Sequence, residues 1–149
     1  MITYKIIEPI SQFDLDNYYR LRWLTLRKDW NKDIGSERDS SDKDSIHRMI
    51  IGDDNSAIAV GRLHYNSSIE SQIRYMGVHV NFRRSGFGTI LLKDLEKCSL
   101  ATGHTTIILQ SREAAIDFYL SNGYKVEKKT HLLFNSIQHF LMSKNLVRD

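Results

Sequence analysis

Apolar positions first follow a strand pattern and then a helix pattern in the N-terminal part of the chain. Residues 3–7 predict a short strand, and Pro9, the only proline in the sequence, ends it. Ser11 or Asp14 then caps a predicted helix. Its apolar side chains recur every three or four residues, which predicts one core-facing stripe: Leu15, Tyr19, Trp23, Leu26 and Trp30. Arg22 falls outside that stripe.

A long polar segment, residues 31–45, separates this helix from a run of strands. It predicts a loop, and loops of this length inside a compact domain often serve as lids or binding loops. Strands are then predicted at residues 49–51, Ala57–Tyr65 and 69–80, and the short turns between them make the three strands antiparallel. Gly77, near the end of the third strand, predicts a bulge or a close backbone approach.

The C-terminal half predicts two helices and three strands. One helix begins near Gly88, and a short apolar strand follows at residues 105–110, which we expect to be buried on both faces. Ser111 is expected to cap the second helix, residues 112–121. Two final strands complete the pattern, at residues 124–128 and 140–144.

These elements together indicate an α/β fold built on one mixed sheet. Their order is β-α-loop-β-β-β-α-β-α-β-β, and the strand, helix and strand within residues 69–110 predict a parallel crossover. We therefore expect six to seven strands, mostly antiparallel with one central parallel crossover, and helices on both faces. A chain of 149 residues is expected to form one domain, residues 1–149.

Composition and charge narrow the classes of function. Hydrophobic residues make up 41% of the chain and charged residues 26%, so a folded domain is expected. The net charge is +3, but the basic residues are scattered and form no block, which disfavours nucleic-acid binding. An anionic small ligand fits the same charge balance.

Cysteine usage and apolar run lengths indicate the compartment. Cys98 is the only cysteine, which excludes an internal disulfide and favours a reducing environment; we expect its thiol to be buried and inert. No apolar run approaches the roughly 20 residues that a membrane-spanning helix needs. The apolar run at the start of the chain, residues 1–8, is too short and contains charged residues too early for a signal peptide. We expect a cytoplasmic protein without membrane contacts, and a homodimer is a possible assembly.

The stretch from Val78 to Thr89 carries the candidate chemistry. An apolar strand precedes it, an amphipathic helix follows it, and two arginines and two glycines lie between them. A glycine-rich turn that leads into a helix is suited to phosphate, because backbone N–H groups point at the anion and the helix dipole favours negative charge. The stretch therefore predicts a site for a phosphate-bearing cofactor.

Two common phosphate-binding patterns do not fit this stretch. A dinucleotide-binding fingerprint needs a third glycine where the chain has Leu91, and an acidic residue where it has Gln110. A P-loop needs Gly-Lys-Ser/Thr, but Thr89 and Ile90 follow Gly88.

The pattern R-x-x-G-x-G, formed by Arg83, Gly86 and Gly88, resembles the acyl-CoA pyrophosphate loop of the GNAT N-acetyltransferase superfamily. The whole order of elements is also similar to that fold from end to end. A second motif resembles the family's pattern in the following helix, where Ala115 and Tyr119 precede the pair Gly123-Tyr124.

Shorter stretches resemble one bacterial GNAT branch, in which the acetyltransferase domain is sometimes fused to a hotdog thioesterase-like domain. They are residues 26–30, 35–39, 72–76 and 139–142. We expect no such partner domain after Asp149. Two departures from the family are Arg112, where many members carry Asn, and residues 79–81, where relatives often have Leu-Pro-Glu.

The resemblance implies acetyl-CoA as the cofactor. Its pantetheine arm would pair with the backbone near Met76 and Val78, and the Val78 N–H would polarise the thioester carbonyl. The pyrophosphate would lie on the loop and the helix start: Arg83, Arg84, Ser85, Gly86, Phe87, Gly88 and Thr89. The resemblance adds Arg112, Phe118 and Tyr119 to the cofactor site.

The resemblance further implies direct attack by an amine in a ternary complex, with Tyr119 as the proton donor to the departing thiolate. A base must take a proton from the ammonium group of the acceptor. Glu37 and His139 are the candidates, with His64, Glu70, His79 or a water chain as further alternatives.

The acceptor is expected to be a small-molecule or peptide amine. Glu37 and four arginines are candidates for its pocket: Arg22, Arg27, Arg38 and Arg74. If two of these arginines line the pocket, an acceptor that carries a carboxylate is favoured. The alternative function is a non-catalytic or regulatory acyl-CoA-binding module. No metal is expected.

Overall fold

The computed structural model describes residues 2–147 of the chain. Within that range the strands are β1 (Tyr4–Ile7), β2 (Ile46–Gly52), β3 (Ala57–Tyr65), β4 (Glu70–Val78), β5 (Thr106–Arg112), β6 (Lys125–Leu133) and β7 (Ile137–Asn145). They form one seven-stranded sheet in the order β1-β2-β3-β4-β5-β7-β6. Neighbouring strands are antiparallel, except that β4 and β5 are parallel. The predicted mixed sheet with one parallel crossover is confirmed.

Three α-helices cover the sheet within the described residues: α1 (Gln12–Leu26), α2 (Phe87–Ala101) and α3 (Ile116–Ser121). The predicted cap of α1 is confirmed, since the Ser11 hydroxyl accepts a hydrogen bond from the Asp14 N–H at 3.1 Å. Helix α2 is the crossover between β4 and β5.

The core lies on both faces of the sheet. The larger cluster packs under α2 and α3 and includes Ile50, and the smaller cluster packs under α1 and includes Met49 and Ile51. These three neighbours alternate between clusters because successive side chains of a strand point to opposite faces.

The predicted core-facing stripe of α1 is wrong. The buried residues of the helix are Tyr18, Leu21 and Arg22, whereas Trp23 is only partly buried and Trp30 is exposed. Arg22 is buried because the loop after α1 supplies a carboxylate, that of Asp42, at 2.9 Å. The Trp23 indole donates a hydrogen bond to the Lys32 carbonyl and so anchors that loop.

The region around Ser111 also differs from the prediction. Ser111 belongs to β5, where it pairs with Phe140 of β7, so it does not cap a helix. A short 3-10 turn follows, and α3 begins only at Ile116. Strand β5 is buried mainly on one face, since Ile107 and Leu109 are buried and the alternate residues are only partly covered.

The last two strands are longer than predicted and form one hairpin. Phe134 and Asn135 both have positive φ, which suits a tight turn that joins β6 directly to β7. Leu132 and Leu133 therefore belong to β6. Strand β2 also begins earlier than predicted, at Ile46, which pairs with Leu63 of β3.

The long polar connection between α1 and β2 is confirmed as mostly irregular. It contains two 3-10 turns, Lys28–Trp30 and Asp42–Asp44. Among the described residues, no helix combines the length and the apolar composition required to cross a membrane.

Candidate active site

Strands β4 and β5 pair over half their length and then separate. Their pairing runs from Glu70 with Thr106 to Ile73 with Leu109. Beyond Ile73, strand β4 contains a bulge. Arg74 and Gly77 of β4 pair with Arg62 and Val60 of β3, so β4 has one extra residue in this interval. Tyr75 lies in that bulge with φ +54°, so the bulge predicted near Gly77 lies one to two residues earlier.

The backbone of Val78 faces the gap between the two strands. The N–H of His79 donates to the Ile58 carbonyl at 2.8 Å, which makes Val78 and Ala59 a non-hydrogen-bonded pair of the β3–β4 ladder. The N–H and C=O of Val78 therefore point away from β3 and towards the β5 side. The Val78 carbonyl accepts a long hydrogen bond, 3.4 Å, from the Arg83 side chain.

Gly77 allows β4 to approach α1 closely, as its position predicted. A Cβ atom at this residue would lie 2.3 Å from the Thr25 hydroxyl oxygen and 2.9 Å from the Thr25 Cβ. A side chain would therefore force α1 away from the bulged part of β4. The end of α1 and the bulge together form one wall of the gap.

The loop before α2 has the geometry of an anion-binding turn. Arg84 and Gly86 both have positive φ, +63° and +86°, and residues 83–86 are exposed. Gly86 caps α2 without a side-chain hydrogen bond, and the first turn of α2 contains no acidic residue. The first N–H groups of α2 therefore have neither a side-chain cap nor a nearby carboxylate to compete with an anion.

Two aromatic residues predicted as cofactor contacts are packing residues. The Phe87 side chain is buried and contacts Tyr4 and Phe82 edge to face, so only its backbone can face a ligand. The Phe118 ring packs against Gly88, where an added Cβ would lie 3.2 Å from the ring. Phe118 is not part of the lining of the gap, because this packing holds it against α2.

The gap opens into a cavity of about 290 Å³. It brings together residues from the end of α1, β4, the loop before α2, β5, α3, β6 and β7. The predicted site residues in its lining are Arg27, Arg74, Met76, Val78, Arg83, Arg112, Tyr119 and His139.

Tyr119 presents its hydroxyl to this cavity from α3. The side chain is 9% exposed, and its hydroxyl contacts the Met76 sulfur at 3.9 Å. Burial raises the pKa of Tyr119 to about 12, although Arg112 opposes this shift. The phenol is therefore protonated at neutral pH and can donate a proton.

Two neighbouring arginines, Arg27 and Arg112, are partly buried at the cavity and both donate to the Leu26 carbonyl. Burial lowers the pKa of Arg112, and the charges of Arg27 and Arg83 lower it further. Arg112 donates to the Leu26 carbonyl at 3.3 Å, and Arg27 donates to the Ser36 carbonyl at 3.2 Å. Burial also lowers the pKa of Arg27. Both guanidinium groups remain charged at neutral pH.

His139 lies at the cavity with one ring nitrogen engaged. It is 7% exposed, and its Nδ1 lies 3.0 Å from the Ile137 carbonyl, to which only a protonated nitrogen can donate. Burial lowers the pKa of His139, and His131, stacked on it at 4.4 Å, lowers it further. At neutral pH the imidazole is uncharged, and its Nε2 is the nitrogen that can accept a proton.

Three residues predicted for the acceptor pocket do not reach the cavity. Arg22 is fully buried under the loop, so the prediction that it lines the acceptor pocket is wrong. Glu37 is 2% exposed, because its carboxylate accepts from the Gly35 N–H and the Arg38 side chain. Arg38 is exposed and lies over the Tyr19 ring at 3.8 Å.

The further base candidates also lie elsewhere. His79 accepts a hydrogen bond from the Asn81 N–H in a 3-10 turn, Glu70 accepts one from Asn66, and His64 lies beside Arg62. None of the three belongs to the cavity lining. Cys98 is partly buried, and burial raises the pKa of its thiol, which fits the expected inert role.

The sequence did not point to a buried ionic cluster beside the bulge. Arg62 is fully buried and donates to both Asp39 and Asp42. The Tyr75 hydroxyl donates to Asp39 at 3.0 Å, and the Arg22 guanidinium lies 4.5 Å from the Tyr75 ring centre. The only sequence signal was an arginine in the middle of the mostly apolar strand β3.

Comparison with known proteins identifies a family and relatives that this chain resembles. The family model described as the acetyltransferase (GNAT) family matches residues 15–124. The chain is 27% identical over 141 residues to the uncharacterized N-acetyltransferase YjcF of Bacillus subtilis. The aligned residues cover 95% of this chain and 99% of that protein.

Solved structures share the fold. A protein of Lactobacillus plantarum assigned as an N-acetyltransferase has a TM-score of 0.86 and 21% identity over 97% of this chain and 99% of that chain. A GNAT family acetyltransferase from Elizabethkingia anophelis with acetyl-CoA bound has a TM-score of 0.78 and 14% identity. The match covers 96% of this chain and 98% of that chain.

The residues matched by the family model extend from α1 to Tyr124 and include the loop before α2, the bulge of β4 and Tyr119. They make up well over half of the chain. The chain therefore belongs to the GNAT acetyltransferase family, whose members use acetyl-CoA.

Proposed function

We propose that this GNAT acetyltransferase holds acetyl-CoA between β4 and β5 and transfers the acetyl group to an amine bound in the adjoining cavity. The observation that carries this proposal is the orientation of Val78, whose N–H and C=O face the gap in the cavity that Tyr119 also lines. Acetyl-CoA supplies the acetyl thioester and the acceptor supplies the amine, while the groups that position them and transfer protons come from this chain.

The phosphate-binding end of the site fits the loop before α2. The N–H groups of residues 84–89 would hold the pyrophosphate, because Gly86 leaves the start of α2 without a side-chain cap. Arg83 adds positive charge from the cavity wall. Glycine at position 86 also supports the positive φ of +86° without strain.

The pantetheine end fits the separated part of β4. Met76 and Val78 lie beyond the last β4–β5 pair, so their backbone is available to an extended ligand that replaces a strand neighbour. The Val78 N–H would donate to the thioester carbonyl oxygen, where negative charge develops as the amine attacks.

The reaction needs a base that deprotonates the acceptor and an acid that protonates the departing thiolate. His139 would accept a proton from the amine, because its Nδ1–H is held by Ile137 and its Nε2 is unprotonated at neutral pH. The amine nitrogen then forms a bond to the acetyl carbon while the carbon–sulfur bond breaks. Tyr119 would protonate the departing thiolate, since burial keeps its hydroxyl protonated.

The test of this proposal is Tyr119→Phe, measured by thiol release with a panel of amines and by calorimetry with acetyl-CoA. We expect kcat to fall about 10- to 100-fold, because one proton donor is lost. The Kd for acetyl-CoA should stay the same, because the hydroxyl makes only a 3.9 Å contact with Met76.

The matched control is Tyr65→Phe, whose hydroxyl accepts from Thr102 and lies outside the cavity lining. Equal kcat values for the two variants would remove Tyr119 from the mechanism. Binding of acetyl-CoA without thiol release from any amine would instead favour a regulatory acyl-CoA-binding module.

We further propose a cytoplasmic enzyme that acts on a small-molecule or peptide amine. The single cysteine, Cys98, supports a reducing compartment. The homodimer stays a prediction, which sedimentation of the protein with and without CoA can test.

A further inference from the structure

The charge of the cavity is one-sided. Four arginines and two histidines belong to its lining, and within the described residues no aspartate or glutamate does. The basic residues are Arg27, Arg74, Arg83, Arg112, His131 and His139. A binding site for a polyamine or another polycation would be expected to present carboxylates instead.

The cavity arginines also lack the carboxylate partners that other arginines of this chain have. Among residues 2–147, Arg27, Arg83 and Arg112 form no ion pair within 4.0 Å, and Arg74 reaches Asp39 only at 4.0 Å. Arg22 and Arg62, by contrast, bind Asp42 at 2.9 Å. The charge of Glu37 acts on Arg27 and that of Asp29 on Arg112 only from beyond ion-pair distance. The positive charge of the cavity is therefore only partly offset by the protein itself.

Three of the four arginines fall into two groups by position, and the fourth, Arg112, lies beside Arg27, since both donate to the Leu26 carbonyl. Arg83 lies beside Val78 and the loop before α2, where the phosphates of the donor are expected. Arg27 and Arg74 instead flank the Tyr75 ring, with guanidinium carbons 5.6 Å and 5.3 Å from the ring centre. The second pair is thus available to a different anion from the one that Arg83 would contact.

We infer that the acceptor is a small amine that also carries an anionic group, a carboxylate or a phosphate, and that Arg27 and Arg74 bind this group. The inference rests on the proposed function and adds the substrate class. Guanidinium groups bind carboxylates and phosphates with paired, charge-assisted hydrogen bonds. The cavity of about 290 Å³ includes the gap that the pantetheine arm would enter, so the acceptor is expected to be no larger than a compound of amino-acid size.

The same charge helps the reaction. A positive field disfavours a second positive charge, so it lowers the pKa of the acceptor ammonium group and releases the nucleophilic amine. His139 lies in this field and accepts the proton. An acceptor with two or more ammonium groups is repelled by the same residues.

The experiment is calorimetric titration of the protein, with and without saturating CoA, by L-amino acids and their amides. L-Glutamate and L-alanine with their amides, O-phosphoethanolamine with ethanolamine as the analogue that lacks the phosphate, and spermidine form the panel. We expect at least one acid or phosphate to bind about tenfold or more tightly than its neutral analogue. Tighter binding of the acids identifies a carboxylate, and tighter binding of O-phosphoethanolamine identifies a phosphate. Equal or tighter binding of the amides or spermidine would overturn the inference.

The variant Arg74→Gln should weaken binding of the anionic amine by about 10- to 100-fold and leave the Kd values of CoA and of the amides unchanged. Arg38→Gln is the matched control, because Arg38 is equally exposed but lies outside the cavity. The inference is wrong if both variants behave alike.

Failure of the proposed acetyltransferase function can be distinguished from failure of the inference about the acceptor. Thiol release that occurs only with neutral or cationic amines would leave the acetyltransferase proposal intact and contradict the anionic acceptor. Binding of an anionic amine that depends on Arg74, with no thiol release on addition of acetyl-CoA, would support the binding assignment and contradict the catalytic roles.

Discussion

Burial gives Tyr119 and His139 opposite chemical roles in one cavity. It raises the pKa of Tyr119 to about 12 and lowers the pKa of His139. In both cases burial disfavours the charged form, so the phenol keeps its proton and the imidazole stays free of a second one. A neutral donor and a neutral acceptor of protons therefore coexist near pH 7, as a transfer from ammonium to thiolate requires.

The role of His139 can be tested with His139→Asn. We expect kcat/KM of the unaltered protein to fall in acid, at a pH below the ordinary histidine value, because burial lowers the pKa of His139 and a protonated imidazole can no longer act as a base. The variant should lose about 100-fold in kcat/KM at pH 7 and should lose this acidic limb of the profile. The measurement is thiol release between pH 5 and pH 9.

His131→Asn is the matched control for this change. His131 stacks on His139 and belongs to the same cavity lining, but its side chain is exposed. The control should keep most of the activity and the acidic limb. An unchanged pH profile in His139→Asn would assign the base to a water chain.

At the scale of the elements, the site depends on how closely α1 approaches β4. The bulge at Tyr75 separates β4 from β5, and the end of α1 lies against the next part of the strand at Gly77. The width of the gap is thus set by a contact between a helix and a strand that are about fifty residues apart in sequence. This contact can be changed without touching a residue that the proposed chemistry uses.

The variant Gly77→Ala tests this contact. Its new Cβ would lie 2.3 Å from the Thr25 hydroxyl, so α1 or the bulge must move, and we expect a loss of about 1–3 kcal/mol in the free energy of unfolding. Urea unfolding measures that loss. The KM for acetyl-CoA should rise, because the wall of the gap is displaced.

A double-mutant cycle with Thr25→Ala provides the control. Removal of the Thr25 hydroxyl and methyl group relieves the closest contact, although the Cβ at 2.9 Å remains. The double variant should therefore recover part of the loss, with a coupling of about 1 kcal/mol. Strictly additive effects would mean that the two residues do not meet.

The elements show which features a sequence can predict. Ser11 as a cap and Ala57–Tyr65 as a strand depend on local patterns, so they were predicted correctly. The arrangement of Arg83, Gly86 and Gly88 is likewise local, and the loop has the expected positive φ at Gly86.

The errors have nonlocal causes. Burial of Arg22 depends on Asp42, twenty residues further along the chain, and helical periodicity contains no information about such a partner. The positive φ of Tyr75 is also set by its surroundings, since the residue type itself disfavours that conformation. Ser111 was misassigned because pairing with Phe140 outweighed its preference for a cap.

At the scale of the whole molecule, the ionic cluster joins the long loop to the sheet and to α1. Arg22 of α1 and Arg62 of β3 share the Asp42 carboxylate, and Arg62 also binds Asp39. The Tyr75 hydroxyl donates to Asp39, so the loop, the helix and the bulge meet at this cluster. Loss of either carboxylate would leave a buried guanidinium with fewer partners, which would lower the free energy of unfolding.

The cluster predicts that stability decreases in acid. Burial alone would raise the pKa of Asp39, but hydrogen bonds from Arg62 and Tyr75 outweigh burial and lower the pKa from 3.8 to about 2. A carboxylate with a lowered pKa stabilises the folded state fully above its unfolded pKa, and this contribution is lost as the pH falls towards the folded value. Because Asp39 is partly exposed, we expect about 1–2 kcal/mol from it at pH 7.

Asp39→Asn should therefore lower the free energy of unfolding at pH 7, and the difference from the unaltered protein should disappear between pH 4 and pH 2. Urea unfolding across this range measures it, and Asp53→Asn, at an exposed turn, is the control. Three histidines, His47, His64 and His139, also have lowered pKa values, and they reduce stability below pH 6.5. The effect of His47 and His139 is common to all these proteins, whereas the Asp39 charge also raises the pKa of His64. A difference that persisted at pH 2 would show that Asp39 stabilises the fold through something other than the titration of its own carboxylate.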